Sequence, residues 1–274
     1  MQNIPDLWLK QFPFPKIEQH KYNRGHVVVS GGPVDSTGAT CLAAISALRV
    51  GAGLVTVASP ESALIVYAVK LTAVMAKPFQ NLSDFKELIS DQRKNIILLG
   101  PGNGINDSTL KKVKIALTLG KHCVIDADAI TVFKDGNLEL FKLIKSPVVM
   151  TPHEGEFRAL FGLDSNRNDM AKEAARVSGA VIVLKGHETI IAAPDGRISI
   201  NNNAPPTLAT AGSGDVLSGI IAGLMAQGME VFQAACCGVW LHGKAAQLAG
   251  VGMISEDLPN MLPKAMQSIY NPKG

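Results

Sequence analysis

Short runs of β-branched residues recur along the chain, each closed by glycine, proline or another small or polar residue: "HVVVSGG", "LVTVAS", "NIILLG", "CVIDADA", "PVVMTP", "AVIVLKG", "ETIIAAP" and "RISIN". Between most of them the apolar positions switch to helical spacing, as in "GATCLAAISALRVGAG", "SDFKELISDQRK", "DSTLKKVKIALTLG" and "DMAKEAARVSG". Val and Ile runs without polar alternation predict strands covered on both faces, and their alternation with helices predicts a mostly parallel sheet. The expected class is α/β, a doubly wound, mostly parallel sheet with helices on both faces. "ETIIAAPDGRISIN" breaks the rhythm, because two apolar runs joined around "PDG" predict an antiparallel edge hairpin. After it, long apolar helices are expected over 215–227 and 230–249, then an amphipathic one. No repeat, low-complexity linker or compositional break interrupts the pattern, so one domain over 1–274 is expected.

Composition narrows this picture. Hydrophobic residues make up 47% and charged residues 18% of the chain, and the mean hydropathy is +0.19, which excludes a disordered chain. The formal net charge is +3, with basic residues spread out rather than gathered into a stripe that would hold a nucleic-acid backbone. Cys41, Cys123, Cys236 and Cys237 form no C-x-x-C pair and lie at no zinc-finger spacing, so they read as buried thiols of a reducing compartment. "MQNIPDLWLKQFPFPK" lacks the features of a targeting peptide. Glycines and charges such as Arg49 and Lys70 interrupt every apolar run before the ~20 residues of a membrane span. A cytoplasmic protein without membrane contact is expected.

In an open parallel sheet, ligands bind beyond the carboxyl ends of the strands. Six segments rich in glycine or in single polar residues fall there: "SGGPVDSTGA", "GPGNG", "DADA", "TPHEGE", "KGHET" and "ATAGSGD". In the last, Gly212 and Gly214 free the backbone to turn its N–H groups inward, and the helix that follows adds positive potential, together an anion site. Asp215 in that setting is expected to be held ionised, where it can take a proton from a hydroxyl attacking a bound phosphoryl group. The alternative is that Asp215 caps the helix.

"GVWLHGKA", 238–245, nearly matches a P-loop but lies within a helical run and ends in Ala245, which has no hydroxyl for Mg²⁺. "GPGNG" has the wrong spacing for a dinucleotide loop, although it allows close approach of a ligand to the backbone. "MTPHEGEFRALFG" predicts a helix with Thr151 as N-cap and Pro152 at its first position, which places His153 and Glu156 on one face. Zinc would call for H-E-x-x-H, which is absent. Glu156 either orients water around a Mg²⁺ that accompanies a nucleotide or complements the helix dipole. Lys185, at a strand end, reaches either a carboxylate or a ligand phosphate.

Taken in order, "RGHVVVSGG", "TGATCLAAISALRVGAGLVTV", "LLGPGNG", "VIDADAI", "TPHEGEF", "VLKGHETII" and "ATAGSGDVLSGIIAGLMAQG" resemble the ADP- or ATP-dependent NAD(P)H-hydrate dehydratases of the ribokinase-like superfamily, over roughly residues 23 to 250. The resemblance implies that ADP or ATP phosphorylates the 6-hydroxyl of the S epimer of hydrated NADH or NADPH, after which phosphate leaves. It places the hydrate at Ala39, Gly102, Gly104, His153 and Asp215, and the nucleotide at Lys185, Gly186, His187, Glu188, Thr189 and Gly214. Asp215 becomes the base, Gly212 and Gly214 part of the anion hole, and Glu156 a water-mediated contact to Mg²⁺. His153 stands where the superfamily's magnesium motif has Asn. Ser36 departs from relatives that carry a bulky residue in that loop. Family members are often fused to an epimerase, so a separate NAD(P)H-hydrate epimerase is the implied functional partner. A homotetramer or larger assembly is expected. The alternatives are a kinase of a hydroxymethylpyrimidine or hydroxyethylthiazole alcohol, and a non-catalytic nucleotide-binding regulator.

Overall fold

The computed structural model describes residues 1–162 and 165–270. Its nine strands are β1 (His26–Ser30), β2 (Leu54–Pro60), β3 (Met75–Phe79), β4 (Ile96–Leu99), β5 (His122–Ile125), β6 (Val148–Met150), β7 (Val181–Leu184), β8 (Thr189–Ala192) and β9 (Ile198–Asn201). They form one sheet in the order 3-2-1-4-5-6-7-8-9. Pairing is parallel from β3 through β7, and antiparallel between β7 and β8 and between β8 and β9. The expected edge hairpin is present, closed by Ala193 N–H on Arg197 O at 2.9 Å. The turn at "KGHE" is a second antiparallel connection that the pattern did not anticipate.

The helices are α1 (Thr37–Arg49), α2 (Leu64–Lys70), α3 (Leu82–Ser90), α4 (Asp107–Thr118), α5 (Asp128–Thr131), α6 (Asn137–Leu143), α7 (Glu154–Phe161), α8 (Arg167–Ser178), α9 (Ser213–Ala226), α10 (Val231–Ala249) and α11 (Asp257–Tyr270). Asn81, Asn106 and Asn166 cap α3, α4 and α8 by accepting first-turn N–H groups through their side chains. Successive strand residues face opposite layers. Val27, Val29, Leu98 and Val124 pack with α1, α9, α10 and α11, whereas Val28, Ile97, Leu99 and Ile125 pack with α3 to α8. Two cores thus sandwich the sheet, the physical reason its strands carry unbroken apolar runs. All four cysteines are buried and free.

β3 has no apolar signature in the sequence, because "MAKPF" carries a lysine and a proline and is largely exposed. It lies at the sheet edge, where proline is tolerated. α2, α5 and α6 are too short to show a helical period, each being only one or two turns long. The chain runs outward from β1 to β2 and β3, then returns to β4 on the other side of β1. The loops after β1 and β4 therefore diverge and open a crevice. On one wall, α9 lies close against α1. A Cβ on Gly219 would stand 2.2 Å from Ala43 O, and one on Gly223 2.4 Å from Val50 Cγ1. These two glycines fix how near α9, and with it Asp215, approaches α1.

Candidate active site

The loops beyond the strand ends are tied into one network. Ser36 Oγ donates to Gly102 O at 2.8 Å, and Asn103 Nδ2 donates to Ser30 O at 2.8 Å, joining the loops after β1 and β4. Gly104 N–H donates to Asp128 Oδ2 at 2.8 Å, linking the loop after β4 to the "DADA" turn after β5. Lys185 N–H donates to Pro152 O at 2.9 Å, and Lys185 Nζ lies 3.1 Å from Asp126 Oδ1. The structure brings Ala39 and Gly102 together: a Cβ on Gly102 would touch that of Ala39 at 3.3 Å. The Gly104 amide is already engaged by Asp128, so only its carbonyl and backbone shape remain for a ligand.

α9 begins two residues earlier than expected. Gly212, with φ +86°, is its N-cap and Asp215 lies in the first turn, so Asp215 does not cap the helix. Among the described residues, neither the Asp215 carboxylate nor the N–H groups of Gly214 and Asp215 have a hydrogen-bond partner, as first-turn amides of a helix do not. The expectation that Asp215 is held ionised is corrected. Burial, followed by the repulsion of Asp126, outweighs the attraction of Lys185 and raises its pKa to about 7. Helix-end potential favours the anion by far less than desolvation opposes it.

Lys185 reaches a carboxylate, one of the two partners the sequence allowed. Its side chain is 22% exposed and that of Asp126 only 1%. Burial alone would lower the Lys185 pKa, yet the carboxylates of Asp126, Glu156 and Asp215 more than reverse this and hold it charged. A Cβ on Gly214 would stand 3.2 Å from Nζ, so glycine there leaves room for the ammonium at the mouth of the helix. From this point a cavity of about 790 Å³ runs outward. His153, Lys185, Gly186, His187, Thr189 and Gly214 line it together with the apolar Pro205, Pro206, Leu208, Leu217 and Val239. The Lys185 ammonium and backbone amides joined to apolar surface suit a nucleotide, whose phosphates need the first and whose base the second. Glu188 is not part of the lining. Its carbonyl accepts from Arg167 Nη2 at 3.1 Å.

α7 starts at Glu154 with His153 as N-cap, a correction to the expected Thr151. Thr151 N–H still pairs with Ile125 O and Pro152 O with Lys185 N–H, so the sheet continues past the end of β6 and postpones the helix. The Thr151 hydroxyl is buried without a partner. His153 and Glu156 instead form a capping box: Glu156 Oε2 accepts from His153 N at 2.8 Å and His153 Nδ1 accepts from Glu156 N at 3.2 Å. The Glu156 side chain is 11% exposed, and burial raises its pKa.

The family model described as NAD(P)H-hydrate dehydratase matches residues 27–268. The chain belongs to this family. It is 34% identical to the ADP-dependent (S)-NAD(P)H-hydrate dehydratase of Neisseria meningitidis, covering 84% of this chain and 79% of that one. It is 35% identical to the bifunctional NAD(P)H-hydrate repair enzyme of Moorella thermoacetica, covering 94% of this chain and 52% of the relative. The chain thus spans about half the length of most curated relatives it matches. Among solved structures, the ADP/ATP-dependent NAD(P)H-hydrate dehydratase of Bacillus subtilis, co-crystallized with ATP/Mg²⁺, superposes with a TM-score of 0.86 at 27% identity over 98% of both chains. The ribokinase-like architecture expected from the motifs is the one observed.

In this member of the dehydratase family, four residues at the site escaped the sequence reading. Asp126 sits in a segment noted only as a loop. Arg167, the first residue of α8, donates through Nη2 to the carbonyls of Lys185 and Glu188 and pairs with Glu154. His242 and Asn201 line the cavity from α10 and β9. His242 falls inside the near-match to a P-loop, and α10 is indeed continuous helix there. A polar residue amid an apolar helical run was the available signal for His242; Arg167 and Asn201 offered none.

Proposed function

We propose that this chain is a ribokinase-like domain that dehydrates the S epimer of hydrated NADH and NADPH at the expense of ADP or ATP, restoring NAD(P)H and releasing AMP or ADP and phosphate. One observation carries the reading. Among the described residues Asp215 is an unpartnered carboxylate, raised to about 7, beside the Lys185 ammonium and unbonded first-turn amides of α9, whose Ser213 and Gly214 line the cavity. A base poised near neutrality is what abstraction of a hydroxyl proton needs.

Asp215 takes the proton of the 6-hydroxyl as that oxygen attacks the terminal phosphoryl group. The Gly214 and Asp215 amides and Lys185 stabilise the charge on the migrating group. The phosphate ester then departs with the C6–O bonding pair, pushed by the ring nitrogen, and loss of a proton from C5 restores the dihydronicotinamide. Catalysis is positioning and charge stabilisation, with the Ala39–Gly102 wall holding the hydrate.

The oxygen donors present fit Mg²⁺. Among the described residues no three His, Cys, Asp or Glu side chains converge into a cage, which suits an ion held mainly by phosphate and water, with Glu156 bound through water. When bound, it neutralises phosphate charge. ADP is the favoured donor, in line with the Neisseria relative's description. A NAD(P)H-hydrate epimerase as functional partner, a homotetrameric or larger assembly and a cytoplasmic location complete the proposal. No helix of the described residues is long and apolar enough to cross a membrane.

The test mixes the protein with hydrated NADH, Mg²⁺ and ADP or ATP and follows the return of reduced-nicotinamide absorbance. Wild-type protein restores it and releases one inorganic phosphate per turnover. Asp215→Asn keeps nucleotide binding and loses about 10²-fold or more in turnover. Release of a stable phosphorylated alcohol instead would transfer the assignment to a kinase.

A further inference from the structure

The mechanism leaves one buried acid without a task. Asp126 comes from the turn after β5, where Ala127 has φ +46° and ψ −120°. It is the one non-glycine residue with positive φ among the described residues, a strained conformation that persists only where the surroundings over-determine it. The kink sends the flanking acids to different loops: Asp126 to Lys185 Nζ at 3.1 Å, Asp128 to the Gly104 amide at 2.8 Å. Gly100 closes over the same turn, so tightly that a Cβ there would stand 1.7 Å from Asp126 O. Strain, close approach and a buried ion pair all converge on Asp126.

The charged groups around Asp215 come from several elements. Asp126 and Asp128 face it from the strained turn and Lys185 from the end of β7. Glu156, with His153 beside it, faces Lys185 from the start of α7. His242 faces the α9 entrance from α10. Of the acids among the described residues, only Asp126 holds the ammonium directly. Building on the proposed dehydration, we propose that Asp126 is a positioning residue: from the strained turn it fixes the Lys185 ammonium, 3.1 Å away, beside Gly214, where the transferring phosphoryl group passes, and so keeps in place the charges that face Asp215. The signs agree with this role, since Asp126 raises the Asp215 pKa and Lys185 lowers it. Without Asp126 the base is more acidic and therefore weaker, and the ammonium loses its anchor.

The experiment measures kcat/KM for hydrated NADH against pH, at high nucleotide and Mg²⁺, for wild type, Asp126→Asn, Asp126→Glu and Lys185→Met. Asp126→Asn moves the acid limb about one pH unit lower, and Lys185→Met moves it up by a similar amount. Asp126→Glu keeps the limb near its wild-type position while kcat falls, as expected for a displaced but charged group. A merely structural role would lower activity without moving the limb in opposite directions. The proposal is overturned if the limb stays put in both variants or shifts the same way. Should Asp126→Asn not fold, Asp126→Glu decides: a fall in kcat with the limb in place supports the positioning role, and wild-type kcat overturns it. An Asp215→Asn enzyme that retains turnover and the limb would instead sink the base assignment of the proposed function. Loss of turnover in Asp215→Asn with an unmoved limb in Asp126→Asn defeats this inference alone.

Discussion

Ser213 Oγ and His242 Nε2 lie 3.2 Å apart at the floor of the cavity, joining the first residue of α9 to the middle of α10. Burial lowers the His242 pKa to about 4, so the ring is neutral near pH 7. His26, paired with Thr56 at the opposite end of the sheet, is likewise lowered to about 4, chiefly by burial.

The two histidines make stability depend on pH. Above about 6.5 the rings are neutral in both folded and unfolded chains and impose no difference. As pH falls toward 4 the unfolded chain takes up protons that the folded one refuses, so stability is lost across that window. His242 accounts for on the order of 2 kcal/mol at pH 5, and His26, less deeply buried, for less. Urea titrations at pH 7 and pH 5 check this, and His242→Asn should shrink the difference.

Gly100→Ala is expected to destabilise by more than about 3 kcal/mol. Its φ is +121° and the new methyl would collide with Asp126 O. Gly120→Ala is the control. Its φ is +66° with nothing within 4 Å, so it should cost only about 1 to 2 kcal/mol. Chemical unfolding of the two variants separates collision from conformational strain.

Ser36→Ala removes the hydrogen bond that holds the Gly102 carbonyl. The KM for the hydrate should rise about 5-fold while that for the nucleotide stays within 2-fold, in keeping with a loss of roughly 1 kcal/mol at one loop. Steady-state kinetics with each substrate varied in turn read this out.

Arg167→Ala releases the "KGHET" turn by removing the donors to the Lys185 and Glu188 carbonyls. The nucleotide KM should increase about 10-fold, with hydrate KM little changed. Calorimetric titration of ADP into the variant gives an independent check.

Local pattern carried a good part of this protein. Eight of the nine strands, the long helices and the antiparallel hairpin followed from periodicity and turn residues. The exception, β3, escaped because an exposed edge strand has no reason to be apolar. The rim loops were legible because glycine has few other uses after a buried strand. Asp215 and Lys185 stood out for the same reason, as single charges at apolar element ends.

Periodicity and punctuation report which face each residue turns to its immediate surroundings, and that was enough to establish the layered sheet, the rim and the chemical groups on it. They are silent about distances between residues far apart in the chain. Asp126 and Lys185 are 59 positions apart, and Ser213 and His242 are 29 apart. Desolvation and Coulomb interaction act through space, so the proton affinity of Asp215, the partner of Lys185 and the start of α7 were set when the strands aligned and brought these groups within a few ångströms of one another.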